Sequence, residues 1–284
     1  MKEFYVRKHS RRPIYTFFMC LLYIVIFLST FWLIINISSD SNKSFILNFN
    51  KVYIWSAISL VTILTLLFFL IYYIYLRKLK FVKVILDENS IKYTNMKKDI
   101  VIKYDEIKSI NCSHFKYSRG WIKIKGDNEV IKLTVTLENI AVFIKELKEK
   151  LDERGLDNIY NSKRIYDFYK TSSYSDDSWE RIYELLKFVP PATAFGIVVS
   201  FIFSFLINEI EIKFISILIT MSFPEMVLLL SEAILSIKHS IEMRNEKYIV
   251  RMRDYQYEHR VFDAVFVLLL IIVSIILVYC AIKY

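Results

Sequence analysis

The chain has 284 residues, 55% of them hydrophobic and 24% charged, with a formal net charge of +9. It carries 22 Phe and 20 Tyr but only 4 Gly and 4 Pro. This composition excludes a disordered chain, a collagen-like repeat and a disulfide scaffold, and it weighs against an ordinary soluble enzyme.

A helix needs about 20 mostly apolar residues to cross the hydrocarbon core of a bilayer. Five blocks reach that length, over residues 14–37, 52–76, 188–207, 212–235 and 264–282. The first follows a basic leader, but it exceeds the roughly 7–15 apolar residues of a signal peptide and is read as a retained anchor. Orientation follows from where Lys and Arg fall. The leader holds Lys2, Arg7, Lys8, Arg11 and Arg12. Arg77, Lys78, Lys80 and Lys83 follow the second block, and Lys238, Arg244, Lys247, Arg251, Arg253 and Arg260 separate the last two. The remaining loops carry few. The expectation is a multi-pass protein of the plasma (cytoplasmic) membrane with five transmembrane helices, its N-terminus cytoplasmic and its C-terminus outside. The basic excess retains loops and touches anionic headgroups. The lipid bilayer is therefore the expected partner, with another membrane protein as a second and no nucleic acid. Abundant Ile, Lys, Asn and Tyr match the composition of an AT-rich bacterial genome.

Four regions follow: a leader and transmembrane hairpin (1–80), a cytoplasmic domain (81–155), a linker with an interfacial helix (156–187), and three C-terminal transmembrane helices (188–284). A cytoplasmic helical connector (236–262) lies within the last. In the domain, Val82, Val84 and Leu86 alternate with polar residues, and Asp87-Glu88-Asn89 supplies a turn. Further strands are marked by Ile91 and Tyr93, by Ile100 and Ile102, and by Trp121 to Val135 around a Gly126-Asp127-Asn128 turn. Leu137, Ile140, Ile144, Leu147 and Leu151 then recur at helical spacing, with Thr136 placed to cap and Gly155 to stop the helix. The expected fold class is an α-helical integral membrane protein with an inserted α+β domain, an antiparallel sheet closed by a C-terminal helix.

Three stretches resemble the bacterial pleckstrin-homology-like (PH-like) domain family: the run Ile85–Ile110, the hairpin Trp121–Val135 and the helix Leu137–Leu151. The resemblance covers about residues 81–154. It implies a scaffold or regulatory module behind a membrane hairpin, in proteins some of which are linked to envelope stress or tolerance of membrane-active peptides. Arg77 stands at the end of the second block without the Trp that some members carry there, and the three added C-terminal blocks depart from the simpler two-span form. Mixed charges at Lys97, Lys98, Asp99, Asp105 and Glu106 read as a solvated surface rather than a phosphoinositide pocket.

Residues 156–176 are polar and Tyr-rich, and Asp177 with Glu180 fits a capping box. Residues 178–187 are expected to form a short interfacial helix anchored by Trp179 and Tyr183. The fourth block carries Glu225 near its midpoint, with Glu232 and His239 at seven-residue steps and Ser236 beside that line. Glu225, Glu232, Ser236 and His239 thus form a polar stripe, and Pro224 is placed to bend the helix. A carboxylate at that depth is neutral, paired or hydrated. Three readings stand: a structural hydrogen-bonded carboxyl, a proton or cation path, and a face for another span.

Chemistry beyond this is sparse. There is no HExxH, GxSxG, GxGxxG or phosphate-binding loop, and no metal or cofactor site is expected. Cys20, Cys112 and Cys280 have no CxxC spacing and are read as packing residues. The expectation is a non-enzymatic membrane protein with a scaffold or regulatory domain. The alternative is a small transporter or channel component using Glu225 and Glu232.

Overall fold

The computed structural model describes residues 1–38, 43–115, 119–185, 188–207, 209–244, 248 and 253–283. The chain begins with strand β1 (Lys2–Tyr5), the single turn α1 (Lys8–Arg11) and the long helices α2 (Pro13–Ser38) and α3 (Lys43–Ile71). A π-helical turn (Tyr72–Leu76) joins α3 to the short α4 (Arg77–Leu79). Six strands follow: β2 (Lys83–Leu86), β3 (Ser90–Thr94), β4 (Asp99–Lys103), β5 (Ser109–Phe115), β6 (Arg119–Lys125) and β7 (Val130–Thr134). The longer elements after these strands are helices: α5 (Ile140–Asp152), α6 (Ser162–Leu185), α7 (Val189–Leu206), α8 (Ile210–Met221), α9 (Phe223–Glu242) and α10 (Tyr255–Lys283). Two compact units emerge. One contains residues 1–13, 71–182 and 236–253, and the other residues 14–70, 183–235 and 254–284.

Alternation of apolar and polar residues builds the first unit. Val84 and Leu86, Ile100 and Ile102, and Ile131 and Leu133 point inward, while Val101 between its neighbours is exposed. The strands form an antiparallel four-stranded sheet in the order β1-β2-β3-β4 and a three-stranded sheet β5-β6-β7. Between them and α5 lies one continuous core that includes Phe143, Ile144, Leu147 and Leu151. Each such side chain contributes roughly 1.5–3 kcal/mol on full burial. Gly155, at φ +69°, ends α5 as the sequence anticipates: its amide bonds Asp152, and the next amide returns to Leu151. The helix starts later than expected, at Ile140 rather than next to Thr136, because Asn139 turns the backbone left-handed (φ 54°) just before it.

Two regions read from sequence as leader and linker instead belong to this core. Residues 2–5 pair antiparallel with β2, placing Phe4 opposite Val84. Phe4 and Val6 are buried, and β1 covers what would otherwise be an open edge of β2. Residues 162–185 form one 24-residue helix, not a linker followed by a short interfacial helix. Ile165, Tyr166, Phe168 and Tyr169 enter the core. Asp177, expected to cap a helix, lies well inside α6.

The second unit consists of apolar helices. Among the described residues, three are long and apolar enough to cross a membrane, within Pro13–Thr30, Asn50–Leu79 and Tyr255–Lys283. The fourth block is not one straight helix. It breaks at Ser222 into α8 and α9, and the pair Glu211–Met221 and Phe223–Glu242 bends by 53°. Pro224, in the first turn of α9, lacks the amide that a continuous helix would need. At 18 residues, α7 spans roughly 27 Å, slightly short of a bilayer core. The expected connector also departs from its reading: α9 ends at Glu242, and α10 begins at Tyr255, where Asp254 caps it by accepting from the Tyr257 amide at 3.0 Å. Residues 245–247 and 249–252 of that connector lie outside the described residues.

Side-chain hydrogen bonds join helices inside this unit. Trp32 Nε1 donates to Asn50 Oδ1 (3.1 Å), and Asn50 Nδ2 donates to Asn36 Oδ1 (2.9 Å). Tyr53 donates to the Leu28 carbonyl (2.7 Å), and Phe17 stacks on Phe68. Between α7 and α8, Ser200 and Thr220 share a hydrogen bond. A Cβ on Gly196 would sit 2.6 Å from the Thr220 carbonyl oxygen, so only glycine permits this approach.

Candidate functional site

Among the described residues, two gatherings of polar side chains, one in each unit, include an ionisable group that is buried. In the second unit, the break after α8 decides where Glu225 goes. The sequence puts it near the midpoint of a continuous span, whereas the structure puts it in the first turn of α9. A helix N-terminus presents unpaired amides and favours a carboxylate. Tyr23, from α2, donates to Glu225 Oε1 at 2.6 Å. Glu225 Oε2 is buried and meets no hydrogen-bond donor among the described residues. Thr193 is buried and donates to the Val189 carbonyl at 2.8 Å. Ser231 is fully buried on α9. The result is a Tyr23–Glu225 pair within an apolar helical unit.

The rest of the expected stripe does lie on one helix, since α9 runs unbroken from Phe223 to Glu242. It does not converge on one site. Glu232 and Ser236 are half-buried. His239 is buried, with Nε2 3.2 Å from the Lys170 carbonyl and its ring beside Tyr174. His239 therefore belongs to the first unit. Lys238 approaches Glu242 (3.7 Å) and Arg253 approaches Glu180 (3.4 Å). No group of three or more His, Cys, Asp or Glu that could hold a metal occurs among the described residues.

The second gathering was missed from sequence. It is built around Arg7, only 3% exposed. Its Nε donates to the Val135 carbonyl (3.0 Å), and Nη2 donates to Asp176 Oδ1 (2.6 Å) and Ser175 Oγ (3.4 Å). Asp176 Oδ2 accepts from the Ala141 amide (3.0 Å). Asn139 makes no side-chain cap, so Asp176 caps α5 from another helix. One carboxylate thus joins the leader, α5 and α6. Burial pushes its pKa up to about 6, against the pull of Arg7 and the Ala141 and Ile140 amides. Around this pair, Arg11 makes a two-pronged contact with Glu138 (3.1 and 3.0 Å), which also accepts from the Lys8 amide. His9 stacks on Trp179 at 4.1 Å. Burial, then Arg7, lowers the His9 pKa.

Trp179, expected as a membrane anchor, is thus seated on the leader through His9 and beneath the Arg7 guanidinium at 5.9 Å. Tyr183 follows one turn later on α6, half-buried. Cys112 is buried, and burial pushes its thiol up to about 12, which suppresses the reactive thiolate. The only sequence signals for the Arg7 cluster were a Phe4-x-Val6 alternation and an acidic pair inside a polar segment. Neither identifies a partner more than 160 residues away.

The fold and these clusters define a helical chain with apolar helices of membrane-spanning length and a second unit made of sheets and helices. Comparison with protein-family models, with curated proteins and with solved structures finds no match in any of the three.

Proposed function

We propose that this is a non-enzymatic multi-pass membrane protein whose sheet-and-helix unit is a cytoplasmic scaffold or regulatory module. One observation carries the reading. The positive-inside rule selects three segments as cytoplasmic: the leader, the stretch after α3 and the stretch after α9. The same three segments make up the first compact unit. A single folded unit occupies one side of a bilayer, so the chain crosses an even number of times between consecutive segments. Helices α2 and α3 make one such pair. Helix α7 and the bent α8–α9 pair then cross together, or neither crosses. Five crossings, with the bent pair as the fourth, place the N-terminus inside and the C-terminus outside. Seven antiparallel strands in two sheets followed by α5 support a PH-like module whose first strand comes from ahead of the membrane hairpin. Under this reading, a role in envelope stress or in tolerance of membrane-active peptides follows from the family resemblance.

Cysteine labelling in intact cells tests it. In a background with Cys20, Cys112 and Cys280 changed to Ser, a membrane-impermeant maleimide should label Glu209→Cys directly and Lys98→Cys only after permeabilisation. External labelling of Lys98→Cys overturns the orientation. Labelling of Glu209→Cys only after permeabilisation reduces the count to three crossings.

A second reading rests on the Tyr23–Glu225 pair and its unpaired carboxylate oxygen. It makes the helical unit a small transporter or channel component, with Glu225 and Glu232 handling protons or cations. Glu225→Gln separates the two readings. The scaffold retains its deletion-sensitive phenotype with this change, and the transporter loses it.

A further inference from the structure

A cavity of about 410 Å³ opens in the helical unit among the starts of α7 and α9 and the first turns of α10. Four of its lining side chains are Phe188, Phe223, Phe262 and Phe266, and among the described residues Asp263 is the ionisable one on its lining. Phe223 and Phe266 meet edge to face at 5.4 Å. The break between α8 and α9 creates the space, because it brings Phe223 and Pro224 to the level of Phe266 rather than continuing along α8. Asp263 lies two turns into α10. The structure gives the cap to Asp254, and Arg260 Nε turns to the Gln256 carbonyl. Asp263 has no hydrogen bond or ion pair among the described residues.

We propose that this cavity binds a lipophilic monocation, an organic ammonium or phosphonium carried on an aromatic or branched apolar body. The chemistry of the walls selects that class. Phenyl faces carry negative quadrupole charge and attract cations at close range. Asp263 is exposed on the cavity lining and supplies a negative charge that a cation seated among the phenyl rings can meet. A metal ion is a poor fit, since one carboxylate supplies too few oxygen ligands. An anion meets repulsion from Asp263, and a neutral apolar body draws nothing from that charge. The volume falls within the roughly 300–1,000 Å³ of small-molecule sites. Phe188 and Phe266, 66% and 45% exposed, leave a mouth through which a bulky cation enters. The proposal does not depend on the number of membrane crossings.

The test uses the purified full chain in nanodiscs of phosphatidylglycerol, with tetraphenylphosphonium as the probe in equilibrium dialysis. Saturable binding of one cation per chain is expected. Asp263→Asn should weaken it about tenfold, and Phe266→Leu, which keeps apolar bulk but removes the ring, about threefold. Tetraphenylborate, of the same shape and opposite charge, should bind Asp263→Asn more tightly than the unmodified protein. Unchanged melting temperatures certify both variants as folded, and either variant alone suffices for the comparison. Equal affinity for the cation in the unmodified protein and Asp263→Asn overturns the proposal. So does the absence of saturable binding. Loss of binding when phosphatidylcholine replaces phosphatidylglycerol assigns the cavity to a lipid choline headgroup and also overturns it.

Discussion

The sheet-and-helix unit and the apolar helical unit solve the burial problem in opposite ways. The first gathers its apolar side chains into one continuous core and turns most of its charges outward, with Arg7, paired to Asp176, and Arg181 among the buried exceptions. Among its described residues the second has small buried clusters, such as Ile217 with Met221 and Leu235 with Val261 and Val265. Its larger apolar residues face out, Leu66 and Ile275 among them. Its helices meet through hydroxyls, amides and a glycine. In water the hydrophobic effect rewards the first arrangement. In hydrocarbon that reward vanishes between helices, and close approach and hydrogen bonds hold them instead. The same chain therefore carries two stability rules, and substitutions should separate them.

The largest contrast is expected at Arg7. Arg7→Ala strands Asp176 as a buried charge with no counter-ion and should lower the stability of the first unit by about 3–5 kcal/mol. Hydrogen exchange on the full chain should show loss of protection in β1, α5 and α6, with α2 and α3 unchanged.

A pH titration sharpens the same point. Folded Asp176 holds its proton up to about pH 6, against the ordinary value of 3.8. The folded state therefore binds more protons in that window. Stability of the first unit should fall as pH rises from about 4 to 6, by up to about 3 kcal/mol, and then level off. Asp176→Asn should flatten this dependence, and a slope that survives the change would locate it elsewhere.

Helix packing in the second unit is probed at Gly196. Gly196→Ala drives a methyl against the Thr220 carbonyl and should destabilise the α7–α8 pair by about 1–3 kcal/mol, read as a lower melting temperature in detergent. Tyr23→Phe removes one hydrogen bond and should reduce stability by about 1 kcal/mol. The smallest effect belongs to Lys98→Ala, which breaks an exposed pair with Glu129 and should change stability by less than about 1 kcal/mol in chemical denaturation.

Much of the first unit was legible because its strands alternate over four or more residues and its helix α5 repeats at 3–4-residue steps. Val84, Ile102, Leu133 and Leu147 were each readable as inward-facing for that reason. Helix α6 was not, because much of its buried face is made of Tyr, Ser and Thr, residue types that do not mark a buried stripe in a sequence. Strand β1 was missed because four residues with one alternating pair fall below any reliable period, and the neighbouring charges suggested a loop. Within the second unit, apolar blocks and Pro224 were plain, but the helix break that puts Glu225 in the first turn of α9 was not. A proline marks where a helix can bend and says nothing about how far the chain turns there.

Local pattern alone determined the apolar blocks, the strand-and-turn rhythm of residues 82–135, the face of α5 and the basic segments flanking the blocks. Each of these depends on residues within a few positions of one another, where side-chain period and turn chemistry act directly. Tertiary structure decided the rest: the pairing of the leader with β2, the capping of α5 by Asp176, the meeting of Tyr23 with Glu225, and the cavity around Asp263. Those features join residues far apart in the chain, and their energies come from partners brought together by packing, desolvation and the 53° bend between α8 and α9.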